Sequence, residues 1–157
     1  MTRPAPGAIS SPMRRSILKA GLLGALAAAA SLPAAAAGLE TFRGKARPVV
    51  VFAPAPDAPQ AMDQLKRLRA DREGLESRDM PVFVVGRKRV TTLAGGSAPA
   101  TLDASSLREA YGVGDDAFAV VLVGKDGGEK LRSSEPLGVG RLFEVVDEMP
   151  MRRREMR

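Results

Sequence analysis

The chain has 157 residues, of which 45% are hydrophobic and 27% charged, a size and composition that support one globular core rather than two. It contains neither Cys nor His, which excludes a disulfide, a thiolate nucleophile, a Cys-X-X-Cys redox pair, a Ser-His-Asp triad and the standard zinc sites. The formal net charge is +6 at pH 7, so the chain as a whole is basic.

Residues 1–37 have the organisation of an export signal. Basic residues come first, and an apolar, Ala-rich run follows from Ile17 to Ala37. The run ends in Ala-X-Ala motifs before Ala37 or Gly38, so we expect cleavage there and a mature domain of residues 38–157. A retained membrane anchor and a core helix are the alternatives, but the richness in Ala and the presence of Pro33 make the run a weak permanent span.

The basic part of this signal contains Arg14-Arg15-Ser16-Ile17-Leu18-Lys19, which resembles the twin-arginine export pattern. An ordinary secretory signal that starts at Met1 or at Met13 is the alternative. Both interpretations predict a periplasmic or secreted protein that has no stable membrane span after cleavage.

Removal of residues 1–37 takes away four positive charges and no acidic residue, so the net charge falls from +6 to +2. A nucleic-acid partner is therefore not expected. Two basic clusters remain, at Arg87-Lys88-Arg89 and Arg152-Arg153-Arg154, without interleaved aromatic residues that could stack on bases. Each cluster is either a solvated face or a patch that binds an envelope protein or an acidic surface.

Two short apolar runs separated by a helical segment predict a β-α-β unit in the first half of the mature chain. The strands are Pro48–Phe52 and Met80–Val85, and the crossover between them implies a parallel pair. Asp57 is expected to cap the helix, Pro59 to stand in its first turn, and the helix to end near Arg78. Helical spacing predicts an apolar face of four residues: Met62, Leu65, Leu68 and Leu75.

The segment Arg87–Thr101 has no periodicity and is predicted to be a loop. Its Gly-Gly-Ser tripeptide is not followed by the Lys-Ser/Thr pair and helix of a phosphate-binding loop, which argues against that function. A short helix is predicted over Ser105–Tyr111, with Asp103 or Ser105 as its cap and Gly112 as its C-terminal stop.

The last third of the chain predicts a hairpin followed by a helix. Phe118–Val123 is an apolar strand, Lys125–Gly128 a turn and Glu129–Arg132 the antiparallel return. The final helix is expected to end near Met149, because Pro150 disfavours a helical residue before it. The predicted order is β-α-β-α-β-β-α, a single α/β domain with a central mixed sheet flanked by helices.

Part of this pattern resembles thioredoxins: Tyr111-Gly112-Val113, the strand Phe118–Val123 and the turn Lys125-Asp126-Gly127. The resemblance implies a thioredoxin-like fold, in which a Cys-X-X-Cys pair lies at the end of the first strand and opens the first helix. Here Pro54–Gln60 takes that position and contains neither Cys nor another strong nucleophile. The resemblance therefore implies the scaffold without its thiol chemistry.

A second resemblance extends over nearly the whole mature chain. Leu122–Lys130, followed by Asp147–Arg153 and Glu155-Met156, is similar to the bacterial family of domain of unknown function 4174. That family is similar to domains of animal sushi-repeat-containing and equarin-type secreted proteins and has been likened to peroxiredoxins. The resemblance implies no assigned reaction, so it assigns no catalytic residue and no cofactor to this chain.

The C-terminal residues 151–157 carry a net charge of +3. We expect Met151 to pack back on the domain while the neighbouring Arg residues face an acidic partner or an acidic patch of the same molecule. Met149, Met151 and Met156 also raise the alternative of weak Cu(I) binding, since thioethers select Cu(I). Met149 is explained more simply as a core residue of the final helix.

Two functions are consistent with these patterns. The first is a non-enzymatic, exported binding module that uses the loop Arg87–Thr101 or the basic tail. The second is an enzyme that uses carboxylates and cations, with Asp57, Lys125 and Asp126 as its polar groups. The candidate interaction residues are Arg87, Lys88, Arg89, Lys125, Asp126, Met151, Arg152, Arg153 and Arg154.

Overall fold

The computed structural model of the protein describes residues 38–157, so the export signal and cleavage site predicted above lie outside the described residues. In this part of the chain the elements follow in the order 3-10 helix (Leu39–Phe42), β1 (Val49–Phe52), α1 (Pro59–Ala70), α2 (Arg72–Glu76), β2 (Val82–Val85), β3 (Val90–Thr92), α3 (Ala104–Tyr111), β4 (Ala119–Val123), β5 (Glu129–Ser133), α4 (Val139–Glu148) and α5 (Pro150–Glu155). None of the helices within residues 38–157 is both long and apolar enough to cross a membrane.

The strands form one mixed sheet in the order β3-β2-β1-β4-β5. β1 runs parallel to β2, with Val49 opposite Val82, and antiparallel to β4, with Val49 opposite Leu122. The β2–β3 and β4–β5 pairs are antiparallel. The predicted parallel first pair, the hairpin of the last two strands and the central mixed sheet are confirmed.

Both faces of the sheet are buried, as the continuous apolar runs of its central strands indicate. Successive side chains of a strand point to opposite faces, so Val50 and Phe52 belong to the core on the α3 side. Val49 and Val51 belong to the core on the side of α1 and α4. No residue of β1 has exposed surface. The domain is therefore a sheet covered by helices on both sides.

The start of α1 differs from the prediction. Ala58 is the N-cap residue, no side chain caps the helix, and Asp57 is exposed. Pro59 stands at the first helical position and holds Ala58 in an extended conformation, with φ −57° and ψ 134°. Asp57 therefore lies one residue too early to cap the helix, and the predicted Asp57 cap is wrong.

The helix predicted to end near Arg78 is two helices. Asp71 is the C-cap residue of α1 and the N-cap residue of α2. Its side chain caps α2, because Oδ1 accepts a hydrogen bond from the Gly74 backbone N at 2.9 Å. The face of α1 that meets the sheet begins with the small residue Ala61, four positions before Leu65. Met62 is 58% exposed, so its predicted place on the apolar face is wrong.

Part of the predicted loop Arg87–Thr101 is the strand β3, which pairs with β2. The edge of β3 that faces away from β2 is also hydrogen-bonded. The Thr92 N donates to the Gly96 O at 2.8 Å, and the Ala98 N donates to the Val90 O at 3.4 Å. A three-residue strand is too short to show the alternation from which strands are predicted. The loop prediction is wrong for this part of the segment.

The short helix α3 has the predicted ends. The carboxylate of Asp103 accepts a hydrogen bond from the Ser106 backbone N at 2.8 Å, and Gly112 ends the helix in the left-handed region, at φ 61° and ψ 35°. Hydrogen bonds from the backbone of Ser106 and from the hydroxyls of Ser105 and Ser106 lower the pKa of Asp103 to about 2.

The chain beyond α4 continues as a helix and not as a tail. α4 ends at Glu148, as predicted, and Pro150 opens α5 at the first helical position, where its missing N–H is not needed. Met151 is 42% exposed, so the prediction that it packs back on the domain is wrong. Met149 packs against the core instead, while Met156 is 54% exposed, so the three methionines do not share one environment.

Candidate functional site

The segment between β1 and α1 occupies the position at which the thioredoxin resemblance places a cysteine pair. Ala53, Pro54, Ala55, Pro56 and Ala58 have no reactive side chain, and the carboxylate of Asp57 is exposed to solvent. The segment therefore supplies no group that could exchange a disulfide or reduce a peroxide.

A buried arginine closes this end of the sheet. The Arg108 guanidinium, on the apolar face of α3, donates to four backbone carbonyls: Nη2 to Ala53 and Val85 at 2.7 and 3.1 Å, Nε to Gly86 at 3.0 Å and Nη1 to Gly114 at 2.5 Å. Burial lowers the pKa of Arg108 from its ordinary value, because the cation is removed from water. The end of β1 is thus bound by a structural cation where thioredoxins carry their thiols.

The two polar groups proposed for a carboxylate and cation enzyme lie far apart. Asp57 follows the end of β1 and Lys125 follows the end of β4, and these strands are antiparallel, with Phe52 opposite Ala119. The two side chains therefore lie at opposite ends of the sheet and cannot form one site. Within residues 38–157 no group of three or more acidic side chains is placed to hold a metal ion.

An ion cluster lies at the end of the sheet where β1 begins, and we call it the Glu155 cluster: Arg47, Asp79, Lys125 and Glu155. The side chain of Arg47 is completely buried, and its Nη2 donates to both carboxylate oxygens of Glu155 at 3.1 and 3.2 Å. Lys125 Nζ donates to Glu155 at 2.6 Å and to Asp79 at 2.9 Å. The cluster fastens α5 to the first strand and to the β4–β5 turn.

The protonation of this cluster follows from its hydrogen bonds. Those from Lys125 and Arg47 lower the pKa of Glu155 to about 2. Burial lowers the pKa of Lys125, but its hydrogen bonds to Glu155 and Asp79 together outweigh burial and leave the pKa above the ordinary value. Arg47 Nε is buried without a hydrogen-bond partner among the described residues. Glu155 and Lys125 are therefore ionised at neutral pH, and their ion pair helps to hold α5 on the domain.

A second set of charges joins α5 to α4, and α4 to the segment that follows α2. Arg78 donates to both carboxylate oxygens of Asp147 at 3.0 and 2.7 Å, and its guanidinium lies 4.1 Å from the centre of the Phe143 ring. Arg152 also donates to Asp147, at 3.4 Å. Arg152 thus faces an acidic group of the same molecule, which is one of the two arrangements expected from the sequence.

The candidate interaction residues fall at the two ends of the sheet. Arg87, Lys88 and Arg89 are exposed in the turn between β2 and β3, where Arg87 forms an ion pair with Asp116. At the other end, Lys125 is used by the Glu155 cluster. Asp126 binds the Gly128 backbone N at 3.0 Å and Lys130 Nζ at 2.5 Å within its own turn. These contacts give the side chains of Lys125 and Asp126 structural roles.

Exposed cations surround the Glu155 cluster, and we call this surface the basic end: Arg43, Lys45, Arg153 and Arg154. The Gly44 backbone N donates to the Lys125 O at 2.7 Å, which places Arg43 and Lys45 beside the turn that contacts Glu155. None of the four cations forms an ion pair with an acidic side chain of residues 38–157. The basic end can therefore receive anionic groups from outside the molecule.

The sequence interpretation did not identify Arg47, Arg108 or Glu155. Arg108 follows the buried Leu107 and precedes Tyr111 on the apolar face of α3, and a charge at such a position is a detectable sign of a buried cation. Arg47 and Glu155 are 108 residues apart, and local patterns do not indicate which distant residues will meet.

Comparisons with known proteins agree with this geometry. The family described as Domain of unknown function (DUF4174) matches residues 38–155. No curated protein matches the chain. Among solved structures, the thioredoxin peroxidase I of Plasmodium yoelii is similar over 74% of this chain and 79% of its own, with a TM-score of 0.55 and 15% identity. The reduced 2-Cys peroxiredoxin of Plasmodium vivax is similar over 76% of this chain and 85% of its own, with a TM-score of 0.53 and 18% identity. These likenesses establish a thioredoxin-like fold.

Proposed function

Because this chain belongs to the family described as Domain of unknown function (DUF4174), and has the thioredoxin-like fold without a cysteine, we propose that it is a non-enzymatic binding module of the cell envelope. The observation that carries the proposal is the segment Ala53–Ala58. It stands where thioredoxins place their thiols, offers no nucleophile, and has its first carbonyl bound by Arg108. A scaffold without its reactive group can still present surfaces.

The basic end is the surface that we assign to the partner. Glu155 and Arg152 face inward on α5, so Arg153 and Arg154 remain exposed on a helix that is fastened to the domain. A fixed helix presents cations at lower entropic cost than a frayed tail does. The partner that suits this surface is an envelope protein with an acidic patch, and its association with the basic end weakens as salt screens the charges.

The envelope location rests on the export signal that the sequence predicts in residues 1–37. To test it, the full chain is expressed with a small C-terminal epitope, and the exported protein is analysed by intact mass. We expect a mature chain that begins at Gly38 or Ala37 in the periplasm or the medium. Arg14→Lys with Arg15→Lys retains the precursor if the twin-arginine route is used and leaves export unchanged if the ordinary route is used. Uncleaved chain found only in the cytoplasm contradicts this location.

The non-enzymatic role is tested with the purified mature domain in two redox assays. We expect neither reduction of insulin disulfides by dithiothreitol above the uncatalysed rate nor turnover of hydrogen peroxide above that of a boiled sample. The reason is that the chain has no sulfur nucleophile. A thioredoxin and a peroxiredoxin serve as positive controls, and turnover by the mature domain above the boiled sample overturns the proposal.

The assigned surface is tested with two variants that reverse the same number of charges at opposite ends of the sheet. Arg153→Glu with Arg154→Glu changes the basic end, and Lys88→Glu with Arg89→Glu changes the β2–β3 turn. Cross-linked partners from envelope extract are recovered at low and at high salt. We expect the first variant to lose the low-salt partner and the second to keep it. Loss in the second variant alone assigns binding to the turn, and no partner for the wild type contradicts the binding role.

A further inference from the structure

A groove separates α1 from the region of β3. One rim is formed by Met62, Lys66 and Arg69, which are spaced i, i+4 and i+7 and therefore share one edge of α1. The opposite rim is formed by Thr91, Thr92 and Gly95. The floor contains buried apolar side chains, and the volume of the groove is about 570 Å³.

The groove combines an apolar floor with a cationic rim. Leu65 and Val84 line the floor and are 7% and 5% exposed, while Met62 is 58% exposed at the rim. An exposed Met next to buried aliphatic side chains gives an adaptable apolar surface.

The charges along this rim are unbalanced. The carboxylate of Asp63 is already bound by Arg67, at 3.1 and 2.8 Å, whereas Lys66 has no acidic partner among residues 38–157. Arg69 donates its Nε and Nη2 to the Leu93 O at 3.3 and 3.1 Å, which holds its cation beside the groove. The groove therefore presents two cations and no free carboxylate from the side chains that line it.

A partner cannot add a strand to the sheet beside this groove. The outer side of β3 is already bonded to residues 96–98, through the Thr92 N and the Ala98 N. Recognition must therefore use side chains, with apolar groups on the floor and anionic groups at the rim. The distance along α1 from Met62 to Arg69 is about 10 Å, which an extended peptide spans with about three residues.

We propose that this groove binds an extended peptide segment of a partner protein in which an apolar side chain is flanked by Asp or Glu. The apolar side chain would cover Met62 and Leu65, and the carboxylates would meet Lys66 and Arg69. The inference rests on the proposed binding role and gives it a second surface, separate from the basic end.

The test is selection of short random peptides, displayed on phage, against the immobilised mature domain. Enriched peptides are synthesised with a fluorophore, and their affinities are measured by fluorescence polarisation. We expect an apolar residue beside Asp or Glu in these peptides, and binding at least about tenfold weaker in Met62→Ser with Lys66→Glu. Lys88→Glu is the matched control, since it reverses one charge outside the groove, and circular dichroism verifies that each variant is folded.

Three results overturn this inference: no enriched peptide, peptides rich in Lys or Arg, or peptides that bind the Met62→Ser, Lys66→Glu variant as tightly as the wild type. If any of them is found while the envelope partner is still captured through Arg153 and Arg154, the groove is excluded and the binding role stands. If neither peptides nor an envelope partner bind, both proposals are excluded.

Discussion

Arg47 is a buried cation, and the carboxylate that compensates its charge most closely belongs to Glu155. The Arg47 side chain has no exposed surface, Glu155 accepts two of its hydrogen bonds, and the carboxylate of Asp79 lies farther away, at 3.9 Å. A buried ion pair is costly to form, but breaking it leaves a charge without compensation, which is costlier. The stability of the domain therefore depends on Glu155 more than its place near the chain end indicates.

Replacement of Glu155 tests this dependence. We expect Glu155→Gln to lower the free energy of unfolding by about 2 kcal/mol, because Arg47 and Lys125 lose their charged acceptor. Urea denaturation measures the change. The control is Glu144→Gln, which breaks an exposed pair with Arg141 and should change stability by less than about 0.5 kcal/mol. Equal effects of the two substitutions contradict the role given to the Glu155 cluster.

The same carboxylate predicts a dependence of stability on pH. The pKa of Glu155 is about 2 in the folded protein and near 4.5 in an unfolded chain, so between these values the unfolded state binds more protons. Stability is therefore fully present above pH 4.5 and falls as the pH is lowered towards 2. We expect a shallower fall for Glu155→Gln in urea denaturation between pH 5 and 2. A part of the fall remains from Asp103, whose pKa is also about 2. Parallel pH curves for wild type and variant contradict this assignment.

At the opposite end of the sheet, the stability of the domain depends on Arg108. Arg108→Met removes the donors to four backbone carbonyls, and the contacts with two of these, Ala53 and Val85, are buried. We expect a loss of about 3 kcal/mol in thermal or urea unfolding. Arg108→Lys keeps the charge but cannot reach all four carbonyls, so we expect an intermediate loss. Wild-type stability in Arg108→Met contradicts the structural role of this guanidinium.

At the scale of elements, α5 is held by charge and not by apolar contact. Its inward side chains are Arg152 and Glu155, while Met151 is exposed. A helix of this length is not stable alone in water, so its contacts with the domain must supply its stability. The two ion clusters are those contacts.

Deletion of residues 151–157 separates the role of charge from that of Met151. We expect the deletion to lower the free energy of unfolding by about 2 kcal/mol, because the uncovered Arg47 loses Glu155 but regains water. Met151→Ala should leave stability within about 0.5 kcal/mol of wild type, since its side chain is largely in solvent. Urea denaturation measures the stability of both variants. A deletion variant as stable as the wild type, or a large loss in Met151→Ala, contradicts the role given to the ion pairs of α5.

The elements that could be predicted from the sequence are those with strong local patterns. The apolar runs predicted β1, β2 and β4, and the Asp103 cap together with Gly112 predicted the bounds of α3 to within one residue. β3 was missed because three residues show no period. The break at Asp71 was missed because the apolar spacing continues from Leu68 to Leu75 across it. The buried charges at both ends of the sheet depend on tertiary contacts, which no local pattern contains.

At the scale of the whole molecule, a single sheet is buried on both faces and bound at each end by a buried arginine, Arg47 or Arg108. Neither half of the chain can bury its apolar surface alone, because β1 lies between β2 and β4. The domain should therefore unfold as one cooperative unit.

Cooperative unfolding can be followed with two probes. Tyr111 is the single tyrosine, the chain has no Trp, and burial raises the pKa of Tyr111 to about 12. We expect urea transitions measured by Tyr fluorescence and by far-ultraviolet circular dichroism to coincide, since Tyr111 packs against Phe52 of the central strand. Two separate transitions contradict a single unit.

The contact between Arg47 and Glu155 also has a consequence for the time at which the protein can fold. The two residues are 108 positions apart, so the contact closes a loop that contains almost the whole domain. A chain that emerges from its N-terminus first, from a ribosome or a membrane pore, carries Arg47 without its hydrogen-bonded carboxylate until Glu155 is released. The Glu155 cluster can therefore form only after α5 has emerged, and a chain cut before Glu155 lacks the carboxylate that accepts from Arg47.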